Sequence, residues 1–124
     1  MSLVDFYSET RARFPEITSK ADQEQDRLLG DVSPDFAYLW FESLANALNA
    51  EMVRGLSYSV YAELVDFISR QYSVGSKEVK GCIDVAFTEN LFWRVPADKA
   101  RPFWDGLPDN LKNLYVAFHG HGPF

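Results

Sequence analysis

The chain has 124 residues, of which 47% are hydrophobic and 15% aromatic, and its formal net charge is −6. This apolar content excludes an intrinsically disordered chain and predicts one globular domain, residues 1–124, with a substantial core. The negative charge argues against non-specific binding to nucleic acid, which needs clustered Lys and Arg, whereas it favours docking onto a basic protein surface.

The first predicted helix runs from Ser2 to Phe14, with the Ser2 hydroxyl as its N-cap and Pro15 as its stop signal. The polar stretch after Pro15 indicates at most a short helix ending at Gly30, because its few apolar residues show poor helical spacing.

The next helix begins at Ser33-Pro34-Asp35, which combine a capping hydroxyl, a proline at the first helical position and an acid that suits the helix dipole. This helix is predicted to make about five turns and to end near Arg54-Gly55. Its predicted core face holds Phe36, Ala37, Trp40, Leu44, Ala47 and Leu48, and its predicted outer face holds Tyr38, Glu42, Asn46 and Asn49.

Two further helices follow. The segment SVYAELVDFISRQY has amphipathic spacing with Gly75 as its C-cap, and its apolar stripe comprises Val60, Tyr61, Leu64, Phe67, Ile68 and Tyr72. Ser76 then caps a helix around residues 77–93. Because Val85 and Phe92 lie opposite Ile83 on this helix, we expect it to be largely buried between neighbours. A strand is the alternative for CIDVAF, in which apolar residues alternate with polar or small ones.

The C-terminal part begins after Pro96 with a predicted short helical turn and loop, which carries Phe103 and Trp104. The closing helix has Gly120 as its C-cap, and its apolar stripe comprises Leu107, Leu111, Leu114, Tyr115 and Phe118. Together these segments predict an all-α single-domain bundle of about five helices with short connections.

The polar pair Glu89-Asn90 interrupts the apolar run IDVAFTENLFW. Asn90 falls within the apolar stripe, and a buried amide left without a partner costs roughly 1–3 kcal/mol. Two interpretations stay open: Asn90 bonds the backbone of a helix end or loop, or it forms the polar floor of a ligand pocket. Glu89 lies about 100° away around the helix and is expected on a flank.

A second candidate site is the aromatic cluster around Pro96 and Pro102, which comprises Phe92, Trp93, Phe103 and Trp104. Such residues can cover the end of a bundle, and they are also the type most enriched at binding hot spots. Together with the neighbouring acids Asp98, Asp105 and Asp109, they predict a contact patch for a basic protein.

The sequence offers little for catalysis or metal binding. His119 and His121 in the terminal HGHGPF are two ligands, which do not complete a zinc site, and the remainder of the chain has no metal-ligand motif. There is no nucleophile elbow and no glycine-rich phosphate loop. We therefore predict no metal and no cofactor, and an enzyme remains possible but unsupported.

The single cysteine, Cys82, excludes an intrachain disulfide and is typical of a reducing cytoplasm. The N-terminal residues include acids and no apolar signal-peptide core, and no run approaches the roughly 18 apolar residues of a membrane span. We expect a cytoplasmic protein that does not bind membranes.

The segment IDVAFTENLFW, followed about fifteen residues later by LPDNLKNLY, resembles a family of small acidic helical bacterial proteins. These carry an F-x-E-N-L block before a Leu-Pro and a final amphipathic helix, and they look like immunity proteins of bacterial toxin systems. The resemblance implies a binder that sequesters a toxin domain, and it implies no catalytic residues. Phe87, Glu89, Asn90 and Leu91 would be its family positions.

Three hypotheses follow for function. The leading one is a non-enzymatic binder of a basic protein, with the immunity type as its concrete form. The second is a small-molecule-binding or enzymatic bundle with a pocket near Asn90. The third is a structural subunit, most simply a homodimer that buries exposed aromatic residues.

Overall fold

A computed structural model describes residues 1–28 and 36–124. In these two ranges the chain forms α-helices and no strands, which confirms the predicted all-α class. The helices are α1 (Leu3–Arg13), α2 (Pro15–Leu28), α3 (Ala37–Val53), α4 (Ala62–Val74), α5 (Lys77–Gly81), α6 (Ala97–Gly106) and α7 (Asp109–His119). Two short 3₁₀ turns cover Tyr58–Val60 and Thr88–Asn90, and a π-helical turn covers Cys82–Phe87.

The predicted start and stop of the first helix, at Ser2 and Pro15, are confirmed. The Ser2 hydroxyl accepts a hydrogen bond from the Asp5 amide at 3.1 Å, and the Asp5 carboxylate accepts one from the Ser2 amide, which completes a capping box. Pro15 ends α1 and is itself the first residue of α2, where its missing N–H costs nothing.

The stretch after Pro15, for which the sequence indicates at most a short helix, forms a helix of 14 residues. Ile17, Ala21 and Gln25 are buried at intervals of four residues and Thr18 is buried beside Ile17, so α2 buries a narrow stripe in which only two side chains are apolar. A stripe this narrow gives a weak sequence pattern, and packing against α3 stabilises the helix. The predicted helix end at Gly30 and the predicted start at Ser33-Pro34-Asp35 lie outside the described residues.

α3 is the central helix, and it packs against α1, α2, α6 and the 82–90 stretch. Its Trp40 Nε1–H donates to Asp22 at 2.8 Å, and the same carboxylate pairs with Arg11, so one acid links α1, α2 and α3. The Phe6 and Phe41 rings stack beneath this link with centroids 4.6 Å apart.

The prediction for one face of α3 is wrong. Asn49, predicted on the outer face, is only 5% exposed. Ala45 and Met52, one turn away on the same face, are buried too, because the 82–95 stretch covers this side of the helix.

The helix predicted around residues 77–93 is shorter and more exposed than expected. The helical stretch from Lys77 ends at Asn90, so Phe92 lies beyond it. Val85, predicted to pack against a neighbour, is 45% exposed, while Ile83 and Phe87 are fully buried. The π turn is wider than an α turn, and this moves later side chains away from their positions on a 100° helical wheel.

The remaining differences are small. Val60, predicted on the α4 stripe, is exposed because it lies in the 3₁₀ turn before that helix. The segment predicted as a short turn and loop is the ten-residue α6, which accommodates Pro102 near its middle. Gly120 ends α7 with φ of 82°, the left-handed C-cap expected of glycine. No helix in the described ranges combines the length and apolarity needed to cross a bilayer.

Candidate functional site

The buried amide of Asn49 fixes the backbone that follows the 82–90 stretch. Its Nδ2 donates to the Asn90 carbonyl at 2.8 Å, and its Oδ1 accepts from the Phe92 amide at 2.7 Å. These two bonds use a donor and the acceptor of one side chain. They join α3 to Asn90 and Phe92, which lie 41 and 43 positions further along the chain. A buried Asn with both functions satisfied specifies one arrangement of the partner backbone.

The backbone held in this way contains two left-handed residues that are not glycine. Phe92 has φ of 69° and Arg94 has φ of 58°. The left-handed conformation costs an L-residue roughly 1–2 kcal/mol, and bulky residues rarely adopt it outside sites where the surroundings impose it. A hydrogen bond from the Val95 amide to the Phe92 carbonyl closes a turn, in which Arg94 takes the position that favours Gly or Asn.

We call residues 91–95 the Trp93 turn. Leu91, Phe92 and Val95 are buried and anchor it, whereas Trp93 and Arg94 point outward. Trp93 is 61% exposed, and the Arg94 guanidinium lies over its ring at 4.3 Å from the centroid. The turn therefore presents a stacked indole and guanidinium on a strained backbone with buried supports.

An aromatic cluster supports the turn from below. The Phe92 ring meets Trp104 of α6 at 5.9 Å and Tyr115 of α7 at 5.5 Å, both edge to face. Trp104 and Tyr115 also meet edge to face at 5.5 Å, so the three rings form a closed triangle. The C-terminal Phe124 packs edge-on against Trp104, with the Arg101 guanidinium 4.2 Å from its ring.

The polar pair Glu89-Asn90 lies immediately before the turn. Asn90 is half-buried, and its Nδ2 donates to the Ala86 carbonyl of its own helical stretch at 2.7 Å, whereas the structural interpretation expected a bond to a neighbouring helix end or a loop. His119 Nε2 donates to the Glu89 carbonyl at 3.1 Å and so joins α7 to this stretch. Burial, with a smaller contribution from Asp84, raises the pKa of the Glu89 carboxyl, while His119 acts in the opposite direction.

The structure separates the other predicted site residues. Phe103 is buried against the Tyr58 ring on the far side of α6, so it does not reach the surface that the sequence assigned to it. Trp104 is half-buried under Phe124, and Lys112 lies 5.7 Å from its ring. Asp105 is exposed. Trp93 is thus the one member of the predicted aromatic set that is largely exposed.

Cations lie against three aromatic rings of this region. Arg94 stacks on Trp93, Arg101 on Phe124 and Lys112 on Trp104. The sequence predicts a patch in which the aromatic residues are joined by the acids Asp98, Asp105 and Asp109. Three rings of this region therefore have a cation against them, and Asp105 and Asp109 are exposed nearby in the sequence.

The remaining reactive groups do not gather into a metal site in the described parts of the chain. No three His, Cys, Asp or Glu side chains of residues 1–28 and 36–124 are placed to share a metal ion. Cys82 is fully buried, and burial raises its thiol pKa to about 12. His121 bonds the neighbouring Gly122 carbonyl. Clefts of about 220 to 580 Å³ open along α4, beside α5 and beside Glu51, and Asn90 lines none of these.

Two residues of this site, Asn49 and Arg94, are absent from the sequence prediction. Asn49 could have been found from its own helix, because Ala45 and Met52 place apolar side chains above and below it. Arg94 carries no sequence signal for a left-handed turn, since such positions normally hold Gly or Asn.

Comparison with known proteins extends over nearly the whole chain. Residues 7–120 match the family described as Domain of unknown function (DUF7674). No curated protein and no solved structure matches the chain. The chain therefore belongs to the DUF7674 family.

Proposed function

We propose that the protein is a non-enzymatic protein-binding module and that the Trp93 turn is its main contact. The observation that carries this proposal is the pairing of an exposed Trp93 with Arg94 on a backbone that two left-handed residues strain. Trp and Arg are the residues most enriched at binding hot spots. Strained backbone that persists on buried supports is typical of functional sites.

The energetic argument favours binding over a purely structural role. Burying the remainder of a Trp side chain removes apolar surface worth about 25 cal/mol per Å², and the indole loses little conformational entropy because Arg94 and the turn already restrict it. Two residues of the turn adopt the unfavourable left-handed conformation, yet the Trp93 indole stays largely exposed to water. A partner that covers Trp93 would regain that burial.

The finer form of the proposal is an immunity-type inhibitor in the bacterial cytoplasm. Its support is the resemblance of IDVAFTENLFW and LPDNLKNLY to such proteins, and the net charge of −6, which would steer the chain toward a basic toxin domain. The Trp93 turn begins inside the first of these segments.

The experiment is affinity capture from lysate of the native source, performed in parallel with the wild type and with Trp93→Ser, Arg94→Ala and Phe118→Ser. Phe118 is the matched control because it is a large exposed aromatic, 58% against 61% for Trp93. We expect a protein retained by the wild type and by Phe118→Ser but lost with Trp93→Ser and weakened with Arg94→Ala. Equal retention by all four chains would refute the assignment of this surface.

A further inference from the structure

A groove runs along the outer side of α4, beside the corner where α1 meets α2. Three clefts of about 360, 580 and 370 Å³ form it, and Arg13 lines all three. Phe14 and Glu63 line the first two, and Phe67 and Arg70 line the last two. We call this feature the α4 groove; the Trp93 turn contributes no residue to it.

The floor of the α4 groove is aromatic. The Phe67 ring is buried, and Phe14 packs against it with centroids 5.8 Å apart. The Arg13 guanidinium lies over the same Phe67 ring at 4.8 Å, which fixes a planar cation beside the apolar floor. Pro108 borders the central cleft from the start of α7. An apolar side chain placed here would contact the half-buried Phe14 ring and Pro108, because Arg13 already covers the buried Phe67 ring.

The charged groups beside this floor change sign along α4, with two acids before one cation. Glu63 and Asp66 lie toward the N-terminal half, and Arg70 follows one turn after Asp66. All three are exposed, and none forms an ion pair with another residue in the described ranges. At 1.5 Å of rise per residue, Asp66 and Arg70 are about 6 Å apart along the axis, and Glu63 and Arg70 about 10 Å.

We propose that the α4 groove binds a short peptide of two or three residues with free ends and an apolar side chain. Its carboxylate would meet Arg70 and Arg13, its ammonium group would meet Glu63 and Asp66, and its side chain would cover the aromatic floor. Two or three extended residues span about 7–10 Å, which matches the separation of the two charged ends, whereas one amino acid spans about 3.5 Å. The central cleft has the volume typical of small-ligand sites.

The test is a titration of the ¹⁵N-labelled chain with the tripeptide Ala-Phe-Ala, followed by amide chemical shifts. We expect saturable shifts along α4 and at Phe14, and about a tenfold weakening when either end of the peptide is capped. Phenylalanine alone should bind more weakly than the tripeptide. Arg70→Ala and Glu63→Gln should each weaken binding about tenfold, whereas Lys77→Ala, an exposed cation outside the groove, should leave it unchanged.

Two outcomes would overturn the proposal. Absence of saturable shifts on α4 up to about 10 mM peptide would mean that Glu63, Asp66 and Arg70 form an ordinary solvated helix face. Equal binding of a doubly capped peptide would mean that the groove takes an internal segment of a longer chain instead. Both outcomes leave the proposed role of the Trp93 turn unaffected, because the two surfaces share no residue.

Discussion

Replacing Asn49 tests how the Trp93 turn is supported. In Asn49→Ala the buried Phe92 amide loses its acceptor and the Asn90 carbonyl loses a donor. A buried group left without a partner costs about 1–3 kcal/mol, and each lost hydrogen bond contributes about 0.5–1.5 kcal/mol. Because relaxation of the turn would recover part of this, we expect Asn49→Ala to lower the free energy of unfolding by about 2–4 kcal/mol.

The assay is urea unfolding followed by far-UV circular dichroism. With a slope of about 1.5 kcal/mol per M, a loss of 3 kcal/mol lowers the midpoint by about 2 M. The matched control is Asn46→Ala, one turn earlier on α3, because Asn46 is half-buried and makes no side-chain hydrogen bond in the described ranges. We expect its cost to stay below about 0.5 kcal/mol.

A second variant separates the acceptor from the donor. In Asn49→Asp an ionised carboxylate still accepts from the Phe92 amide but faces the Asn90 carbonyl without a proton to donate. Burial would raise the pKa of this carboxyl in the folded state above its unfolded value of about 3.9. The folded state then binds more protons, so the deficit relative to wild type should shrink as the pH falls. A cost of Asn49→Ala within 0.5 kcal/mol of the control, or a deficit of Asn49→Asp that grows in acid, would refute the reasoning.

Three further predictions concern the turn, the 82–90 stretch and the buried thiol. Arg94→Gly should be about 1 kcal/mol more stable than Arg94→Ala in urea unfolding, since φ of 58° strains Ala but not Gly; equal stability would contradict the strain. Phe87→Ala should cost about 3–5 kcal/mol and Val85→Ala less than about 1 kcal/mol, and similar costs would restore the expectation that this stretch is buried on two sides. Cys82, with its thiol pKa raised to about 12 by burial, should react with a thiol reagent at pH 8 only when the chain unfolds, and rapid labelling of the native protein would contradict its burial.

The parts of the fold that the sequence predicts depend on local chemistry. The cap at Ser2, the stop at Pro15 and the left-handed Gly120 each act within one helical turn, so single-residue propensities are enough to place them. The all-α class follows from helical spacing that persists over several turns. α2 gave a weak signal because its buried stripe is narrow and its stability depends on α3.

The parts that the sequence could not predict depend on contacts between distant segments. The helix of Asn49 indicates that this side chain is buried, but its hydrogen-bond partners lie some forty residues further along the chain and have no local signal. The π turn at Cys82–Phe87 has no signature in the sequence, and a helical wheel places Val85 opposite the buried Ile83 without showing whether a neighbour covers that side. The left-handed Arg94 has no residue signature, because its conformation is imposed by the buried Phe92 and Val95 between which the turn closes.

The residues that the sequence predicts for the binding site differ in their exposure. The sequence placed a contact patch among Glu89, Asn90, Trp93, Phe103, Trp104 and Asp105. Within the structure Trp93 is exposed, Trp104 supports it through Phe92, and Phe103 is in the core. Residue type alone cannot distinguish an aromatic side chain that packs in the core from one that contacts a partner, because both bury the same kind of apolar surface.

The most direct test of the central claim is the dissociation constant of the captured partner for wild type, Trp93→Ala and Phe118→Ala, measured by calorimetry. If the Trp93 turn is the main contact, Trp93→Ala should cost at least about 2 kcal/mol, or roughly thirtyfold in affinity, while Phe118→Ala changes it less than about threefold. A loss confined to Phe118→Ala, or equal small losses in both, would contradict the claim and move the contact away from the turn.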